Sequence, residues 1–151
     1  MLQLTKIFHF EMAHAIFGYE GPCKHIHGHS YELHIGITGQ NDGSDYIPQP
    51  GFEVDFKDIK HLVSAEVISY FDHKLVLSRD FLAAHPGLAP QDNLVTWEVE
   101  PSAENLLIFI AKKIKDRVPA NARLSYMKLY ETSNSYAEWI NQDNFIPAVP
   151  R

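Results

Sequence analysis

The sequence predicts an α+β fold in which a four-stranded antiparallel sheet carries two helices. Two segments near the start of the chain and two near its end alternate apolar and polar residues, as half-buried strands do. Between them lie two segments whose apolar residues recur at helical spacing behind a capping residue. The predicted order is strand-strand-helix-helix-strand-strand. With 151 residues, we expect a single domain over residues 1–151.

The first two strands are predicted from alternation that ends or begins at a histidine. Even positions from Leu2 to His14 are mainly apolar, whereas several odd positions are polar. The second alternation starts near His27 and puts His29 and Tyr31 on the same face. Because alternate residues of a strand share a face, the two strands can bring their histidines together at one end of the sheet.

Two capping residues mark the predicted helices. Asp55 can cap the first helix, which we expect to end near Phe71. Ser102 can cap the second, which Pro119 should end because proline cannot continue a helix. The turn-rich segment from residue 78 to residue 100 is predicted to be a long loop with a short strand at residues 94–99. The last two strands are expected at residues 123–131 and 135–140.

Composition excludes several classes of function. The net charge is -6 and the lysines and arginines form no dense cluster, so a nucleic-acid partner is not expected. No apolar run approaches the length of a membrane span, and the N-terminus does not look like a signal peptide, so no membrane partner is expected. The only cysteine, Cys23, cannot form an internal disulfide, which suits a reducing compartment. We therefore expect a cytoplasmic protein.

Three histidines are candidate metal ligands. His27 and His29 lie two residues apart on one strand, and His14 lies on the apolar face of the preceding strand. Three imidazole nitrogens without a thiolate favour zinc with an open coordination position, although nickel or copper would also bind such ligands. Each histidine could instead be a hydrogen-bonded structural residue. A buried group of three, however, would leave several ring nitrogens to satisfy.

Cys23 precedes His27 by four residues, so its thiol can lie beside a metal bound there. A thiol becomes a useful base only when a nearby cation or histidine favours the thiolate. The spacing leaves three interpretations open: a reactive thiol, a fourth metal ligand, and a small buried residue.

Two carboxylates are further candidate site residues. Asp72 could orient the ring of His73 or raise its basicity, although a solvated pair at a helix end is the common alternative. Glu131 ends the third predicted strand on the face that also carries Met127 and Leu129. A carboxylate on that face would need N–H partners, unless the strand is misassigned and Glu131 lies at the surface.

Five motifs occur in order between about residue 4 and residue 137: Phe10-Glu11-Met12-Ala13-His14, Cys23-x3-His27-Gly28-His29-Ser30-Tyr31, Asp72-His73-Lys74, Pro101-Ser102-Ala103-Glu104-Asn105 and Glu131-Thr132. Together they resemble the family of 6-pyruvoyl-tetrahydropterin and 6-carboxy-tetrahydropterin synthases. The resemblance implies the tunnelling fold, in which small α+β subunits join their sheets into a trimeric barrel and two trimers stack as a homohexamer. It also implies active sites that lie between subunits.

The resemblance assigns a role to each candidate residue. His14, His27 and His29 become ligands of Zn²⁺, and Cys23 becomes a proton-abstracting base assisted by Asp72 and His73. Glu131 becomes the anchor of a small-molecule pterin substrate. Its carboxylate would accept hydrogen bonds from the N–H groups of the pterin. Ser102 is expected to contribute to substrate binding.

The resemblance also implies a reaction. The expected enzyme is a lyase that converts 7,8-dihydroneopterin triphosphate to 6-carboxytetrahydropterin, acetaldehyde and triphosphate on the route to queuosine and related deazapurines. The three-residue gap between Cys23 and His27 favours this carboxy-forming bacterial branch. The alternatives are a 6-pyruvoyl-tetrahydropterin synthase, an aldolase-like member that cleaves dihydroneopterin, and a zinc-binding or pterin-binding paralogue without catalytic activity.

Overall fold

A six-stranded sheet forms the centre of the computed structural model, which describes residues 1–145 of the chain. The strands are β1 (Gln3–His14), β2 (His27–Thr38), β3 (Lys74–Ser78), β4 (Leu94–Trp97), β5 (Arg123–Thr132) and β6 (Ser135–Ile140). Their order across the sheet is β4-β3-β1-β2-β5-β6. The pairs β1–β2, β2–β5 and β5–β6 are antiparallel, whereas β3 lies parallel to β1 and β4 parallel to β3.

The prediction of four antiparallel strands was therefore wrong. The two additional strands are short, and β3 is buried on both faces: Val76 packs into the main core, while Leu75 and Leu77 pack with Phe81 in a second cluster. A strand covered on both faces has no apolar–polar alternation, so the pattern that revealed the other strands is missing here.

The helices follow β2 and precede β5 in the sequence. α1 (Phe56–Val63) continues through a π-helical turn (Ser64–Ile68) into α2 (Ser69–Phe71). α3 (Arg79–Ala84) and α4 (Ala103–Ile114) complete the set within residues 1–145. The helical run from α1 to α2 ends at the predicted residue. In contrast, α4 ends five residues before Pro119. The segment predicted to be a long loop contains α3, which was not predicted, whereas its predicted short strand at residues 94–99 is confirmed as β4.

Both predicted caps are present. The Asp55 carboxylate accepts a hydrogen bond from the Lys57 backbone N–H at 2.8 Å. The Ser102 hydroxyl accepts one from the Asn105 backbone N–H at 3.2 Å. Each cap satisfies a donor that the first helical turn would otherwise leave without a partner.

The main core lies between the sheet and the helices α1 and α4. Its contributions from these helices are Ile59, Val63, Leu106, Ile110 and Ile114. The even-numbered side chains of β1 from Phe8 to Met12 pack in the same core. Because His14 follows in the same alternation, its imidazole emerges at the end of this buried face. Within residues 1–145, the structure has no helix that is long and apolar enough to cross a membrane.

Candidate active site

The three candidate ligands converge where β1 ends and β2 begins. His14 lies directly opposite His27 in the antiparallel register, and His29 follows on the same face of β2. One ring nitrogen of each histidine lies within 4.8 Å of the corresponding atoms of the other two. His14 is buried, and His27 and His29 are half-buried. The chain therefore forms a possible metal site.

Hydrogen bonds to backbone carbonyls fix the orientation of two of these rings. The Nδ1–H of His14 donates to the Pro101 carbonyl oxygen at 2.7 Å, and the Nδ1–H of His27 donates to the His25 carbonyl oxygen at 2.7 Å. With the hydrogen on Nδ1, each neutral ring carries its lone pair on Nε2. Carbonyl partners of this kind fix the tautomer of metal-binding histidines.

The arrangement of the ring nitrogens fits a bound cation. The Nε2 atoms of His14 and His27 lie 3.1 Å apart, so two lone pairs face each other unless a cation lies between them. The Nε2 of His29 is buried and has no hydrogen-bond partner among the described residues; the Glu131 carboxylate is 3.9 Å away, too far for a hydrogen bond. In tetrahedral zinc sites, ligand nitrogens lie about 3.3 Å apart, close to the observed distance.

Burial keeps His14 and His29 in the neutral form that a metal requires. Removal from water lowers the pKa of His14 from 6.5 to about 4, against the opposing effect of the hydrogen bond to Pro101. Burial also lowers the pKa of His29, although the Glu131 carboxylate acts in the opposite direction. The two rings are therefore unprotonated near neutral pH, and their lone pairs are available to a metal ion.

A cleft of about 400 Å³ opens beside the histidines and contains most of the predicted substrate and catalytic residues. His14, Cys23, Ser102 and Glu131 line it, together with Ile16, Tyr19, Ala103 and Glu104. Glu131 follows the buried Met127 and Leu129 along β5, and its side chain is half-buried. The structure thus brings the thiol, the carboxylate and the candidate metal ligand His14 to one space.

Cys23 lies in the 3₁₀ turn Pro22–Lys24, and its side chain is exposed. Its interpretation as a small buried residue was therefore wrong. The converging ligand atoms found among residues 1–145 belong to the three histidines and do not include the Cys23 sulfur. Of the interpretations left open by the sequence, the exposed reactive thiol agrees with this geometry.

Asp72 and His73 form a pair, but His73 lines a different cavity. The Asp72 carboxylate accepts the Glu11 backbone N–H at 2.9 Å and lies 3.1 Å from the His73 Nδ1. The hydrogen bond from Glu11 is the largest cause of the lowered pKa of Asp72. His73 lines a cavity of about 360 Å³ that also includes His29 and Ser30. The histidine cluster therefore borders both cavities: His14 lines the one with Cys23, and His29 the one with His73.

The Glu100 carboxylate and the Pro101 carbonyl are parts of the site that the sequence did not reveal. The Pro101 carbonyl orients His14, and Ser102 caps α4 at the edge of the cleft. The Glu100 carboxylate accepts the Phe17 backbone N–H at 2.7 Å and so holds the loop that carries Cys23. Backbone carbonyls have no signature in the sequence. Glu104, which also lines the cleft, was given no role from the sequence, and the motif Pro101-Ser102-Ala103-Glu104-Asn105 was the available signal for its position.

Comparison with known proteins identifies the family. Residues 3–142 match the 6-pyruvoyl tetrahydropterin synthase family. The chain belongs to this family. The predicted resemblance to tetrahydropterin synthases, and the prediction of a lyase of this type, are thereby confirmed.

Individual relatives agree with this assignment. The chain is 28% identical to a 6-carboxy-5,6,7,8-tetrahydropterin synthase of Haemophilus influenzae, over 92% of this chain and 99% of that protein. It is 30% identical to a putative 6-carboxy-5,6,7,8-tetrahydropterin synthase of Methanocaldococcus jannaschii, over 78% of this chain and 80% of that protein. The fold is similar to that of 6-pyruvoyl tetrahydropterin synthase from Caenorhabditis elegans, with a TM-score of 0.68 and 18% identity over 93% and 95% of the two chains. The tunnelling-type α+β fold is thus confirmed, with six strands rather than four.

Proposed function

We propose that this chain is a zinc-dependent 6-carboxy-5,6,7,8-tetrahydropterin synthase that acts on 7,8-dihydroneopterin triphosphate. The observation that carries the proposal is the set of three histidine nitrogens that face one point at the edge of a cleft containing a free thiol and a carboxylate. A protein that only binds a ligand needs no thiol in that position. An enzyme that abstracts a proton from its substrate needs a base there, and the thiol can be that base.

Glu131 is proposed to orient the pterin ring. Its carboxylate is half-buried at the end of β5 and opens into the cleft, where it can accept two parallel N–H bonds from a 2-amino-pyrimidinone edge. Ser102 lies in the same cleft, but its hydroxyl already accepts the Asn105 backbone N–H. The hydroxyl hydrogen remains available, so Ser102 is proposed to donate a hydrogen bond to the pterin.

Cys23 is proposed to be the base that removes a proton from the side chain of the substrate. The exposed thiol lies in the cleft with His14, so a substrate anchored at Glu131 can lie between the thiol and the histidine cluster. His14, His27 and His29 would hold the zinc ion, which when bound makes hydroxyl groups of the substrate more acidic. Zinc is favoured over other metals because all three ligands are imidazole nitrogens.

Asp72 and His73 are proposed to complete the active site from a neighbouring subunit of a homohexamer. Within one chain His73 lines a cavity with Glu11 and Ser30 rather than the cleft with Cys23, and Asp72 contacts His73 there. The outer strands β4 and β6 each have one edge without a partner strand among the described residues, and pairing between subunits would cover these edges. A shared site explains why the pair is preformed, at 3.1 Å, away from the thiol of its own chain.

Two observations support the carboxy-forming branch, and a place in queuosine biosynthesis is proposed from the family resemblance alone. Several relatives that match over about 90% of this chain are named 6-carboxy-5,6,7,8-tetrahydropterin synthase. The three-residue gap between Cys23 and His27 also favours this branch.

The test is to incubate zinc-loaded protein with 7,8-dihydroneopterin triphosphate, to identify the pterin product by mass spectrometry and to measure acetaldehyde in parallel. We expect 6-carboxytetrahydropterin and one acetaldehyde per turnover. Formation of 6-pyruvoyl-tetrahydropterin without acetaldehyde would contradict the branch. Absence of turnover at full zinc occupancy would contradict the catalytic assignment.

A further inference from the structure

The backbone conformation of His73 differs from that of every other non-glycine residue among residues 1–145. Its φ angle is +60°, whereas the other positive φ angles in this part of the chain belong to glycines. The left-handed region brings a side chain close to its own backbone, so a residue with a Cβ atom stays there where surrounding contacts hold it. The neighbours of His73 must therefore supply contacts that offset this cost.

Two hydrogen bonds hold the backbone of His73 from the two strands that flank β3. The N–H of His73 donates to the Glu11 carbonyl oxygen on β1 at 2.7 Å. On the other side, the carbonyl oxygen of His73 accepts a hydrogen bond from the side-chain amide of Asn93 at 2.8 Å. Both backbone polar groups of His73 thus have partners, and one of these partners is a side chain.

Asn93 extends the contact between β3 and β4 by one residue. It directly precedes β4, and its own carbonyl oxygen accepts the N–H of Leu75 at 3.1 Å. The parallel ladder begins where Leu75 lies opposite Leu94. Beyond this point, the side-chain amide of Asn93 reaches His73 and takes the place of a backbone N–H donor.

The backbone of His73 sets the direction of its imidazole. The ring Nδ1 lies 3.1 Å from the Asp72 carboxylate, which also accepts the Glu11 N–H at 2.9 Å. With the Nδ1–H directed at Asp72, the lone pair on Nε2 remains available to another group. The side chain of His73 is 79% exposed, so its ring is open to a group outside its own chain.

We propose that Asn93 is a positioning residue for the Asp72–His73 pair. It acts through the backbone of His73 rather than by contact with a substrate. The inference rests on the proposed function, because it takes the pair to assist the base of a neighbouring subunit. Without the amide of Asn93, the His73 carbonyl loses this partner and the backbone relaxes to a negative φ. The imidazole then turns away from Asp72.

The structural test compares the metal-loaded wild type with two variants. Asn93→Asp keeps the shape of the side chain but its carboxylate has no hydrogen to donate, and Asn93→Ala removes the group. Crystal structures of the wild type and Asn93→Asp give the φ angle of His73 and the distance from its Nδ1 to the Asp72 carboxylate. In Asn93→Asp we expect a negative φ and a distance above about 3.5 Å, beyond hydrogen-bond reach.

Steady-state kinetics measures the effect on the proposed reaction. In both Asn93 variants we expect kcat to fall by about tenfold, the effect of one lost hydrogen bond on a positioned group. KM and metal content should stay at the wild-type values, whereas a general loss of structure would change them as well. The control is Gln91→Ala in the same loop, because the Gln91 amide donates within the loop to the Ala89 carbonyl oxygen. It should keep the wild-type kcat.

Two results would overturn the inference. One is the same φ angle of His73 and the same contact with Asp72 in the wild type and in Asn93→Asp. The other is a kcat that both Asn93 variants leave unchanged, or that falls together with the metal content. Failure of the proposed reaction is a separate outcome. If the wild type does not turn over 7,8-dihydroneopterin triphosphate but φ of His73 changes in Asn93→Asp, the reaction is refuted and the positioning of His73 by Asn93 is supported.

Discussion

At the scale of single residues, the site combines neutral imidazoles with groups that stay accessible to a ligand. Burial keeps His14 and His29 unprotonated, and carbonyl oxygens fix the rings of His14 and His27. Cys23, by contrast, is exposed at a turn. The candidate metal ligands are thus held by the strands, while the proposed base lies on the loop that connects them.

Replacement of a ligand should remove the metal without unfolding the sheet. His27→Ala takes away one of three converging nitrogens, so we expect metal content to fall below about one tenth of the wild-type value. The measurement is plasma emission spectrometry on dialysed protein. His34→Ala is the matched control, because His34 lies on the same strand and contacts Glu32 at 2.6 Å instead of the cluster. Equal metal content in the two variants would contradict the ligand assignment.

Replacement of the thiol should separate chemistry from binding. Cys23→Ala lacks the proposed base, so we expect kcat to fall by about 10²- to 10⁴-fold while metal content and neopterin affinity stay the same. Cys23→Ser keeps the size of the side chain but not its acidity, and should be nearly as inactive. Wild-type kcat in Cys23→Ala would rule out this role for the thiol.

The lowered pKa of His14 predicts how the metal-free protein responds to acid. Between pH 6.5 and about 4 the ring stays neutral in the folded chain but becomes protonated in the unfolded chain. The unfolded state then binds more protons, so the free energy of unfolding should fall as the pH decreases through this window. Urea titrations of chelator-treated protein measure this slope. His14→Gln should show a smaller slope, and an unchanged slope would show that the effect has another source.

At the scale of elements, the sequence predicted what depends on local pattern and missed what depends on tertiary packing. The long strands β1, β2, β5 and β6 show alternation because their outer faces are polar, and the caps Asp55 and Ser102 are local signals. The strand β3 has no alternation because α3 covers its second face. The three histidines were predictable from strand period. The placement of His73 in a separate cavity was not predictable, because it depends on how β3 docks beside β1.

The cap of α1 gives a stability prediction at this scale. Asp55→Ala removes the acceptor of the Lys57 N–H, so the free energy of unfolding should decrease by about 1 kcal/mol. Urea unfolding of the metal-loaded protein, monitored by circular dichroism, measures the change. Lys60→Ala, an exposed substitution on the same helix, should change it by less than about 0.5 kcal/mol. An equal loss in both variants would mean that the cap contributes nothing specific.

At the scale of the whole molecule, the separation of Cys23 from Asp72 and His73 predicts complementation between subunits. Cys23→Ala and His73→Ala homo-oligomers should both be inactive. When the two variants are unfolded together and refolded with zinc, mixed oligomers contain some sites with an intact cysteine and an intact Asp72–His73 pair. We expect activity to recover to about a quarter of the wild-type value, the statistical share of such sites at equal mixing.

The control is each variant refolded alone, which should remain inactive. No recovery in mixtures, despite oligomers that contain both variants, would show that each site takes all its residues from one chain.

The segment Glu100–Ser102 has a thermodynamic consequence. Glu100 restrains the loop before Cys23, and Pro101 orients the candidate metal ligand His14. Ser102 caps the first turn of α4 at the cleft. A metal that fixes the ring of His14 therefore also reduces the freedom of the backbone on which the pterin cleft is built. The two binding equilibria should then be linked: each ligand increases the affinity of the other by the same factor, even for a pterin that does not contact the metal.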